Sequence, residues 1–457
     1  MSDRPVVILM TSNGVGMGHL SRQLTVALSG AHRFDTVVFS LSRALPRVIA
    51  AADSGELPGA AERGIRFEYA PSWESGWPPT GWRASIRRHY RSYRWAPYLR
   101  DRICALAVET GAQALVFDGV APYPGLLAAR ERLPSLRFGW VRRGLWRPEA
   151  PASRLDLSRH FDLTVEPGDV ARAWDHGPTR DRTDVERLDG AVSLTDVLDP
   201  LPGEQARVAL GLPADRPVLL LTPGSGVLAS VDATGAEVLD AVRRSHPDWL
   251  VAVTRQSIAQ HSIHGDTDRV VVLEDVFPLV RYLSAFDAAV GVGGYNGVHE
   301  LLSTQIPTLL IPSLHHATDD QPARTEGARE RGVALTVQHS IAASVDRLLE
   351  PAVQAELRAA MATLEPAAAG RDIADRVTAL ALEGRPTSVW PDARPRRPLP
   401  DLRTQALAGT PRALRWTHEP DRSMLEQDRP VEHVLRGSSP RYAQARRQIA
   451  NWLYRTR

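Results

Sequence analysis

The feature that most constrains the fold of this chain is a repeated alternation of short apolar runs with longer helix-like segments. Runs that stay apolar at consecutive positions are typical of strands buried on both faces, as in a parallel sheet covered by helices. The alternation occurs in two sets, and the stretch between them at 196–204 carries prolines and acids that indicate an interdomain linker. The predicted strands are 6–10, 36–39, 114–117 and 137–141 in the first set, and 218–222, 250–254, 270–273, 288–290 and 308–311 in the second.

We therefore predict an α/β protein with two Rossmann-like domains, at 1–197 and 205–384, that face each other across a cleft. Clefts outside the carboxyl ends of parallel strands are where such sheets bind ligands. From 385 to 457 the chain is rich in proline and arginine, which predicts an extended basic tail. We expect its last residues, 441–457, to form a short basic helix that docks onto the N-terminal domain, and membrane contact is the alternative.

Composition excludes several classes of protein. The formal net charge is only +2, which argues against nucleic acid as a partner of the whole chain. The chain contains no lysine, so a Walker phosphate loop and a pyridoxal or Schiff-base enzyme are excluded. Cys104 is the only cysteine, which excludes an internal disulfide and a cysteine-based zinc cluster. No secretion signal or apolar run of membrane length is found either, so a cytoplasmic location is expected.

The most informative motif is the segment 291–300, which reads GVGGYNGVHE. Gly293 and Gly294 follow a predicted strand and let the backbone approach a ligand closely. The residues from there to 304 predict a helix, whose first N–H groups and dipole favour an anion such as phosphate. Glu300 on this helix lies within reach of a ribose hydroxyl pair. The alternative is an ordinary glycine-rich turn from strand to helix.

A second glycine loop, at 13–18, follows the first predicted strand and leads into a helix through 28. Gly16 and Gly18 resemble part of a dinucleotide-binding loop, but the spacing does not match. Asp35 stands near the place of that motif's acid, which leaves a dehydrogenase as an alternative. His19 ends the loop at the mouth of the sheet, where an imidazole either acts as a general base near neutral pH or merely caps the turn.

Asp118 follows the predicted strand 114–117, so we expect it at the same edge of the sheet as His19. A carboxylate bonded to one imidazole nitrogen fixes the tautomer and stabilises the imidazolium that forms when the other nitrogen takes a proton. We therefore predict that Asp118 assists His19 in activating a hydroxyl nucleophile. The alternative is that Asp118 is the N-cap of the helix after it.

Strand ends in the C-terminal half supply further candidate ligand contacts. Gly224, Ser225 and Gly226 follow the strand 218–222 and form a small-residue loop that could cradle a phosphate. Arg255 follows the next strand and is the expected counter-charge for a leaving diphosphate, or else a member of a surface ion pair. The segment 274–278, which contains Val276 and Phe277, offers main-chain groups that could read the edge of a base.

The segment 315–321, which reads HHATDDQ, follows the last predicted strand. Two adjacent histidines with two aspartates suggest a metal site, but adjacent side chains diverge and the spacing fits no standard ligand pattern. We therefore predict no metal ion and no cofactor. Asp320 and Gln321 are better suited to hydrogen bonds with sugar hydroxyls.

The segment 73–102 is crowded with tryptophans and tyrosines interleaved with arginines. Aromatic faces stack on sugars or lipids and arginine forks hold phosphates, so this mixture suits an acceptor site or a peripheral membrane contact. A solvated amphipathic helix packed on its own domain is the alternative.

Together these residues resemble the nucleotide-sugar glycosyltransferases of the two-domain GT-B type, in the group that contains the peptidoglycan GlcNAc transferase and the UDP-sugar-dependent small-molecule glycosyltransferases. The segment Gly294-Tyr295-Asn296-Gly297 with Glu300 resembles the family's Gly-Trp-Asn-Ser segment and its ribose-binding glutamate. The pair at 320–321 resembles the Asp-Gln pair that contacts the donor sugar. The loop 16–19 resembles the glycine loop that carries the catalytic base.

The chain departs from the family pattern at two positions. Val292 stands where many members carry a phosphate-binding histidine, and Arg324 stands where an asparagine often follows the glutamine. The resemblance implies a donor site on the C-terminal domain, an acceptor site on the N-terminal domain, no bound metal, and inversion of the anomeric centre.

We therefore expect an inverting glycosyltransferase that moves a sugar from a nucleotide-sugar, with a UDP-sugar favoured, to an acceptor hydroxyl. Two alternatives remain on the same fold. One is a nucleotide-sugar hydrolase or 2-epimerase, and the other is a binding protein that senses a nucleotide-sugar without catalysis.

Overall fold

The computed structural model of the protein describes residues 4–12, 17–72, 82–223, 231–255, 269–314 and 316–387. Within these ranges the chain forms two parallel sheets covered by helices, which confirms the predicted α/β class. The strands are β1 (Val6–Thr11), β2 (Asp35–Ser40), β3 (Arg66–Tyr69), β4 (Ala114–Asp118), β5 (Arg137–Val141), β6 (Leu163–Glu166) and β7 (Glu186–Arg187) in the first sheet, and β8 (Val218–Thr222), β9 (Leu250–Arg255), β10 (Val270–Glu274), β11 (Ala288–Val292), β12 (Thr308–Ile311) and β13 (Leu335–Thr336) in the second.

Helices connect most of these strands. The α-helices are α1 (Gly18–Gly30), α2 (Leu45–Asp53), α3 (Trp82–Thr110), α4 (Pro124–Arg132), α5 (Gly203–Leu210), α6 (Val231–Ser245), α7 (Tyr295–Ser303), α8 (Gln321–Glu330), α9 (Ile341–Leu348), α10 (Pro351–Met361) and α11 (Ala369–Glu383). Short 3₁₀ helices lie at Ala152–His160, Arg172–Trp174, Leu194–Asp196 and Leu279–Ala285. No described helix combines the length and the apolar character that crossing a membrane requires.

The strand order brings the candidate loops to the middle of each sheet. The first sheet has the order β3-β2-β1-β4-β5-β6-β7 and the second has β10-β9-β8-β11-β12-β13. The order reverses between β1 and β4 in one sheet and between β8 and β11 in the other, and open α/β sheets bind ligands at such reversals. Thr11 is paired with Asp118 at the first reversal, and Thr222 with Gly291 at the second.

The apolar runs form strands because both of their faces are covered. In β1, Val7 and Leu9 pack with α1, α2 and α11, whereas Ile8 and Met10 pack with α3 and α4. In β8, Leu219 and Leu221 similarly pack with α6 and α9 on one face. A strand buried on both faces has no polar side, which is why its sequence shows no alternation.

Helix α11 returns from the second half of the chain to the first sheet. Ile373 and Val377 on this helix are buried in the same cluster as Leu20 and Leu24 of α1. The chain then continues along the first sheet, where the Thr387 N–H donates to the Ala112 carbonyl at 3.2 Å. The range 205–384 predicted as the second domain therefore ends in a helix that packs on the first. The rest of the predicted tail, from 388 to 457, lies outside the described residues.

All of the predicted strands are present, but β3, β6, β7 and β13 were not predicted. The residues of β3 are Arg-Phe-Glu-Tyr and those of β6 are Leu-Thr-Val-Glu, so neither is an apolar run. β7 and β13 are only two residues long. These strands form because neighbouring strands supply their hydrogen bonds, and this is a tertiary effect that local sequence does not show.

Candidate active site

His19 and Asp118 lie together at the reversal point of the first sheet. Asp118 is the last residue of β4, and His19 is in the first turn of α1, which follows the loop after β1. Nδ1 of His19 lies 2.5 Å from Oδ1 of Asp118. The next helix after Asp118, α4, begins at Pro124 with Tyr123 at its N-cap, so the alternative that Asp118 caps this helix is wrong.

The environment keeps His19 neutral and Asp118 charged. Burial lowers the pKa of His19, and the hydrogen bond to Asp118 offsets this effect only in part. Burial by itself would raise the pKa of Asp118, but the charge of Arg22 and the contact with His19 hold it below its ordinary value. Nδ1–H of the neutral imidazole then donates to the carboxylate, which leaves Nε2 as the atom that can accept a proton.

Arg22 is a component of this site that the sequence motifs do not indicate. Its Nε donates to Oδ2 of Asp118 at 2.8 Å and its Nη2 donates to Oδ1 at 2.5 Å. Nη2 is also 2.8 Å from Nδ1 of His19, and because both nitrogens carry hydrogen we attribute this closeness to their shared contact with Oδ1. The sequence contained one signal for this contact: Arg22 lies three residues after His19, and residues three apart on a helix share one face.

The N-terminus of α7 meets this group from the second sheet. Nη1 of Arg22 donates to Oδ1 of Asn296 at 2.9 Å, and Nδ2 of Asn296 donates to the Gly18 carbonyl at 3.2 Å. The two glycine-containing segments predicted from sequence thus adjoin each other, although they are far apart in the chain.

The start of α7 has the features of an anion site. Gly294 occupies the N-cap position without a side-chain capping bond, and no acidic residue lies in the first turn. A Cβ on Gly293 would lie 2.6 Å from Cγ2 of Thr325, so this position is packed against α8. A Cβ on Gly294 would find its nearest neighbour at 3.8 Å, and one on Gly297 would meet nothing within 4 Å. The backbone is therefore approachable at the end of the helix where N–H groups favour a phosphate.

Glu300 lies one turn further along α7 and is half-buried. Burial raises its pKa to about 7, and no charged partner counteracts this effect among the described residues. A carboxylate with unused acceptor capacity beside a helix N-terminus suits a pair of hydroxyl groups.

Tyr295 and His299 fix α7 to the first sheet. The Tyr295 hydroxyl donates to the Gly168 carbonyl at 2.7 Å and accepts from the Val192 N–H at 3.1 Å. Nε2 of His299 accepts from the Val170 N–H at 3.1 Å, so its Nδ1–H donates to the Tyr295 carbonyl at 2.7 Å. Nε2 of His299 therefore bonds across to the segment after β6, whereas Nδ1 bonds within α7.

A buried network of charges extends this interface. Nε of Arg324 lies 2.8 Å from Oδ2 of Asp169, and its Nη2 lies 3.0 Å from Oδ1 of Asp319. Nη1 of Arg143 lies 3.1 Å from the same oxygen of Asp319. Burial by itself would raise the pKa of Asp319, but the two guanidinium groups hold it well below its usual range. Arg324, which departs from the family pattern, is thus a structural residue here.

Asp320 and Gln321 lie at the start of α8 beside the glycines. Oδ1 of Asp320 accepts from the Ala323 N–H at 3.1 Å and caps α8. The Gln321 side chain is buried, and its Oε1 accepts from the Ser313 N–H at 2.9 Å. Its Nε2 lies 3.8 Å from the position of a Cβ on Gly294, which places it next to the N-terminus of α7.

The other predicted contacts already have partners within the protein. Arg255 ends β9, and its guanidinium is paired with Glu274 on the neighbouring strand, which corresponds to the surface-pair alternative. In the segment with Val276 and Phe277, Arg47 of α2 donates to the Asp275 carbonyl at 2.5 Å and to the Phe277 carbonyl at 3.3 Å.

Gly16, Gly224, Ser225, Gly226 and His315 lie outside the described residues. The aromatic and arginine-rich segment forms α3 from Trp82 onward, and its side chains are described only from Trp95, whose Nε1 donates to the Pro71 carbonyl at 2.8 Å. Within the described ranges, no three His, Cys, Asp or Glu side chains gather in a way that could hold a metal ion.

Curated relatives match part of the chain. The UDP-N-acetylglucosamine–N-acetylmuramyl-(pentapeptide) pyrophosphoryl-undecaprenol N-acetylglucosamine transferase of Acetivibrio thermocellus is 23% identical over 138 residues, which are 29% of this chain and 37% of the relative. The protein of the same name from Bacillus licheniformis is 22% identical over 200 residues, which are 42% of this chain and 52% of the relative. The chain therefore matches only about a third to a half of the length of these relatives. No family model matches it.

Solved structures match most of the chain. The glycosyltransferase of kitacinnamycin has a TM-score of 0.53 at 17% identity and covers 82% of this chain and 99% of its own. The calicheamicin glycosyltransferase CalG4 has a TM-score of 0.53 at 14% identity over 83% and 98% of the two chains. Phytolacca americana UGT2, in complex with UDP-2-fluoroglucose and pterostilbene, has a TM-score of 0.53 at 14% identity over 84% and 97%. These likenesses show that the chain has the two-domain GT-B fold of these proteins.

Proposed function

We propose that the protein is an inverting glycosyltransferase that moves a sugar from a nucleotide-sugar to an acceptor hydroxyl. The observation that carries this proposal is the contact between the two halves of the site. The His19–Asp118 pair from the first sheet abuts the N-terminus of α7 from the second, through Arg22 and Asn296. A base and an anion site on opposite sides of one cleft are what such a transfer requires.

The His19–Asp118 pair performs the proton transfer in this proposal. Nε2 of His19 takes the proton of the acceptor hydroxyl while the hydroxyl oxygen forms a bond to the anomeric carbon. The bond from that carbon to the diphosphate oxygen breaks, and its electron pair leaves with the nucleoside diphosphate. Asp118 stabilises the imidazolium that results. Attack from the face opposite the leaving group inverts the anomeric centre.

The donor is held by the second sheet without lysine, metal or cofactor. The N–H groups at the start of α7, with Gly293 and Gly294, receive the diphosphate, and the loop 224–226 contributes further backbone groups. Glu300 accepts hydrogen bonds from the ribose hydroxyls. Asp320 and Gln321 contact the sugar, which requires that Gln321 exchange at least one of its present bonds.

A UDP-sugar is the proposed donor, and we assign it to the C-terminal domain at 205–384. Support comes from the curated relatives, whose names include UDP-N-acetylglucosamine, and from the complex of Phytolacca americana UGT2 with a UDP-sugar analogue. Main-chain groups near Val276 and Phe277 read the base, with Arg255 as an outer counter-charge. The acceptor binds the N-terminal domain at 1–197, with peripheral membrane or lipid contact through the segment 73–102.

A thermal-shift panel of nucleoside diphosphates tests the donor class, because a ligand that binds only the folded state raises the melting temperature. UDP is expected to stabilise the protein more than GDP, TDP or ADP. Equal effects of all four would contradict the UDP assignment. Incubation with UDP-sugars and no acceptor is the companion assay, and rapid turnover there would favour the hydrolase or 2-epimerase over the transferase.

A further inference from the structure

Arg22 connects the base to the opposite domain. It lies one helical turn after His19 on α1, and its side chain is only 3% exposed. Its guanidinium occupies both oxygens of Asp118 and also reaches Asn296. A Cβ on Gly18 would lie 3.5 Å from Oδ1 of Asn296 and 3.8 Å from Nη1 of Arg22, which shows how closely the two domains approach here.

The geometry explains what Arg22 contributes to Asp118. Oδ1 of Asp118 accepts from His19 and from Arg22, whereas Oδ2 accepts from Arg22 alone within the described part of the chain. A carboxylate held at one oxygen can rotate, and a planar fork that holds both oxygens prevents this rotation. A lysine would preserve the charge but could not form the fork.

We propose that Arg22 is a positioning residue, which orients Asp118 on His19 and, through Asn296, completes the base only when the donor-binding domain is in contact. This inference rests on the proposed function for its catalytic consequence. The contact of Arg22 with the imidazole can be tested without any assay of activity. Failure of the positioning proposal can therefore be told from failure of the proposed function.

The charges around His19 determine in which direction its pKa shifts when Arg22 is replaced. Asp118 from β4 raises the pKa of His19, whereas Arg22 from α1 and Arg143, which follows β5, lower it beyond the effect of burial. Loss of the Arg22 charge therefore raises the pKa of His19. If the Arg22 guanidinium did not lie against Asp118 and His19, its loss would leave this pKa unchanged in a folded variant.

The decisive measurement is the titration of His19 by NMR on protein labelled at the histidine Cε1, with His19→Gln used for assignment. We expect Arg22→Gln to raise the His19 midpoint by roughly one pH unit. Arg22→Lys should leave the midpoint near the wild-type value because the charge is kept. Arg331→Met is the matched control, since Arg331 donates to the Val170 carbonyl across the interface at 3.0 Å but does not touch His19. An unshifted midpoint in Arg22→Gln would overturn the proposal.

Transfer assays then test the positioning role. We expect kcat to fall about 10²-fold in Arg22→Gln and about tenfold in Arg22→Lys, with Arg331→Met near wild type. The Arg22→Gln/Asn296→Ala double variant should lose less than the product of the two single losses, because the pair acts as one unit. If the loss of kcat in the double variant equals the product of the two single losses, the two residues act independently and the link to Asn296 is refuted. If the wild-type protein transfers no sugar, the proposed function fails, while the titration still decides the contact between Arg22, Asp118 and His19.

Discussion

At the scale of single residues, the site depends on which groups are charged. His19 is neutral because burial lowers its pKa, and Asp118 remains a carboxylate because Arg22 lies against it. Glu300 has the opposite tendency, since burial raises its pKa to about 7. The protonation states of His19 and Glu300 are therefore set separately, and each can be tested by its own pH dependence.

The pH profile of sugar transfer should reveal the ionisation of His19. A general base is active only when deprotonated, so kcat/KM falls as the pH drops through the His19 pKa. Because this pKa is lowered from 6.5, the acid limb is expected below pH 6.5. Asp118→Asn should move the limb still lower and reduce kcat by about 10³- to 10⁴-fold. An acid limb above pH 7 in the wild-type enzyme would contradict this account.

The pH dependence of nucleoside diphosphate binding should reveal the ionisation of Glu300. The ionised carboxylate is the better acceptor for ribose hydroxyls, and its fraction rises as the pH passes through about 7. Between pH 6 and pH 8 the affinity should therefore rise by about tenfold through this residue. Glu300→Gln should lose that increment, and calorimetric titration of both proteins measures it. Equal pH dependence in both would show that Glu300 does not contact the ligand.

At the scale of elements, α1, α7 and α11 hold the site together. α1 carries His19 and Arg22, α7 presents its N-terminus to them, and α11 packs along the other side of α1. The Gly370 N–H of α11 donates to Oδ2 of Asp196 at 3.0 Å, next to α1. The position of α1 thus depends on a helix from near the end of the described chain.

Substitution of Gly370 tests the docking of α11. A Cβ there would lie 2.4 Å from Cγ2 of Thr25 and 2.8 Å from Oδ2 of Asp196, so Gly370→Ala should force the helices apart. We expect the free energy of unfolding in urea to fall by about 1–3 kcal/mol. Gly297→Ala is the matched control, because a Cβ on that helical glycine meets nothing within 4 Å. A Gly370→Ala protein as stable as wild type would show that α11 packs differently.

At the scale of the whole molecule, the sequence predicted the two sheets better than the contacts between the domains. The apolar runs located the central strands, and parallel topology then brought Asp118 and His19 to one edge. Arg22, Arg143 and Asp169 were missed because their partners come from distant segments. The return of α11 to the first sheet was missed for the same reason, since local periodicity does not say which domain a helix packs against.

Arg324 should be the most sensitive residue of the domain interface. Its side chain is fully buried between Asp169 and Asp319. Arg324→Met would leave Asp169 without its main counter-charge and Asp319 without one of its two guanidinium partners, which should lower the free energy of unfolding by about 3–5 kcal/mol at neutral pH. The control Arg329→Met removes exposed pairs with Glu326 and Glu330 and should cause no resolvable change. Similar urea midpoints for the two variants would contradict the buried network.

The central claim is that His19, on the helix after β1 of the first sheet, activates an acceptor hydroxyl that attacks a donor held by the second sheet. The most direct test is to measure transfer and nucleoside diphosphate affinity together in His19→Ala. The account predicts that kcat/KM falls by about 10²- to 10⁴-fold while the dissociation constant of the nucleoside diphosphate stays within about twofold of wild type. Wild-type turnover in this variant would contradict it.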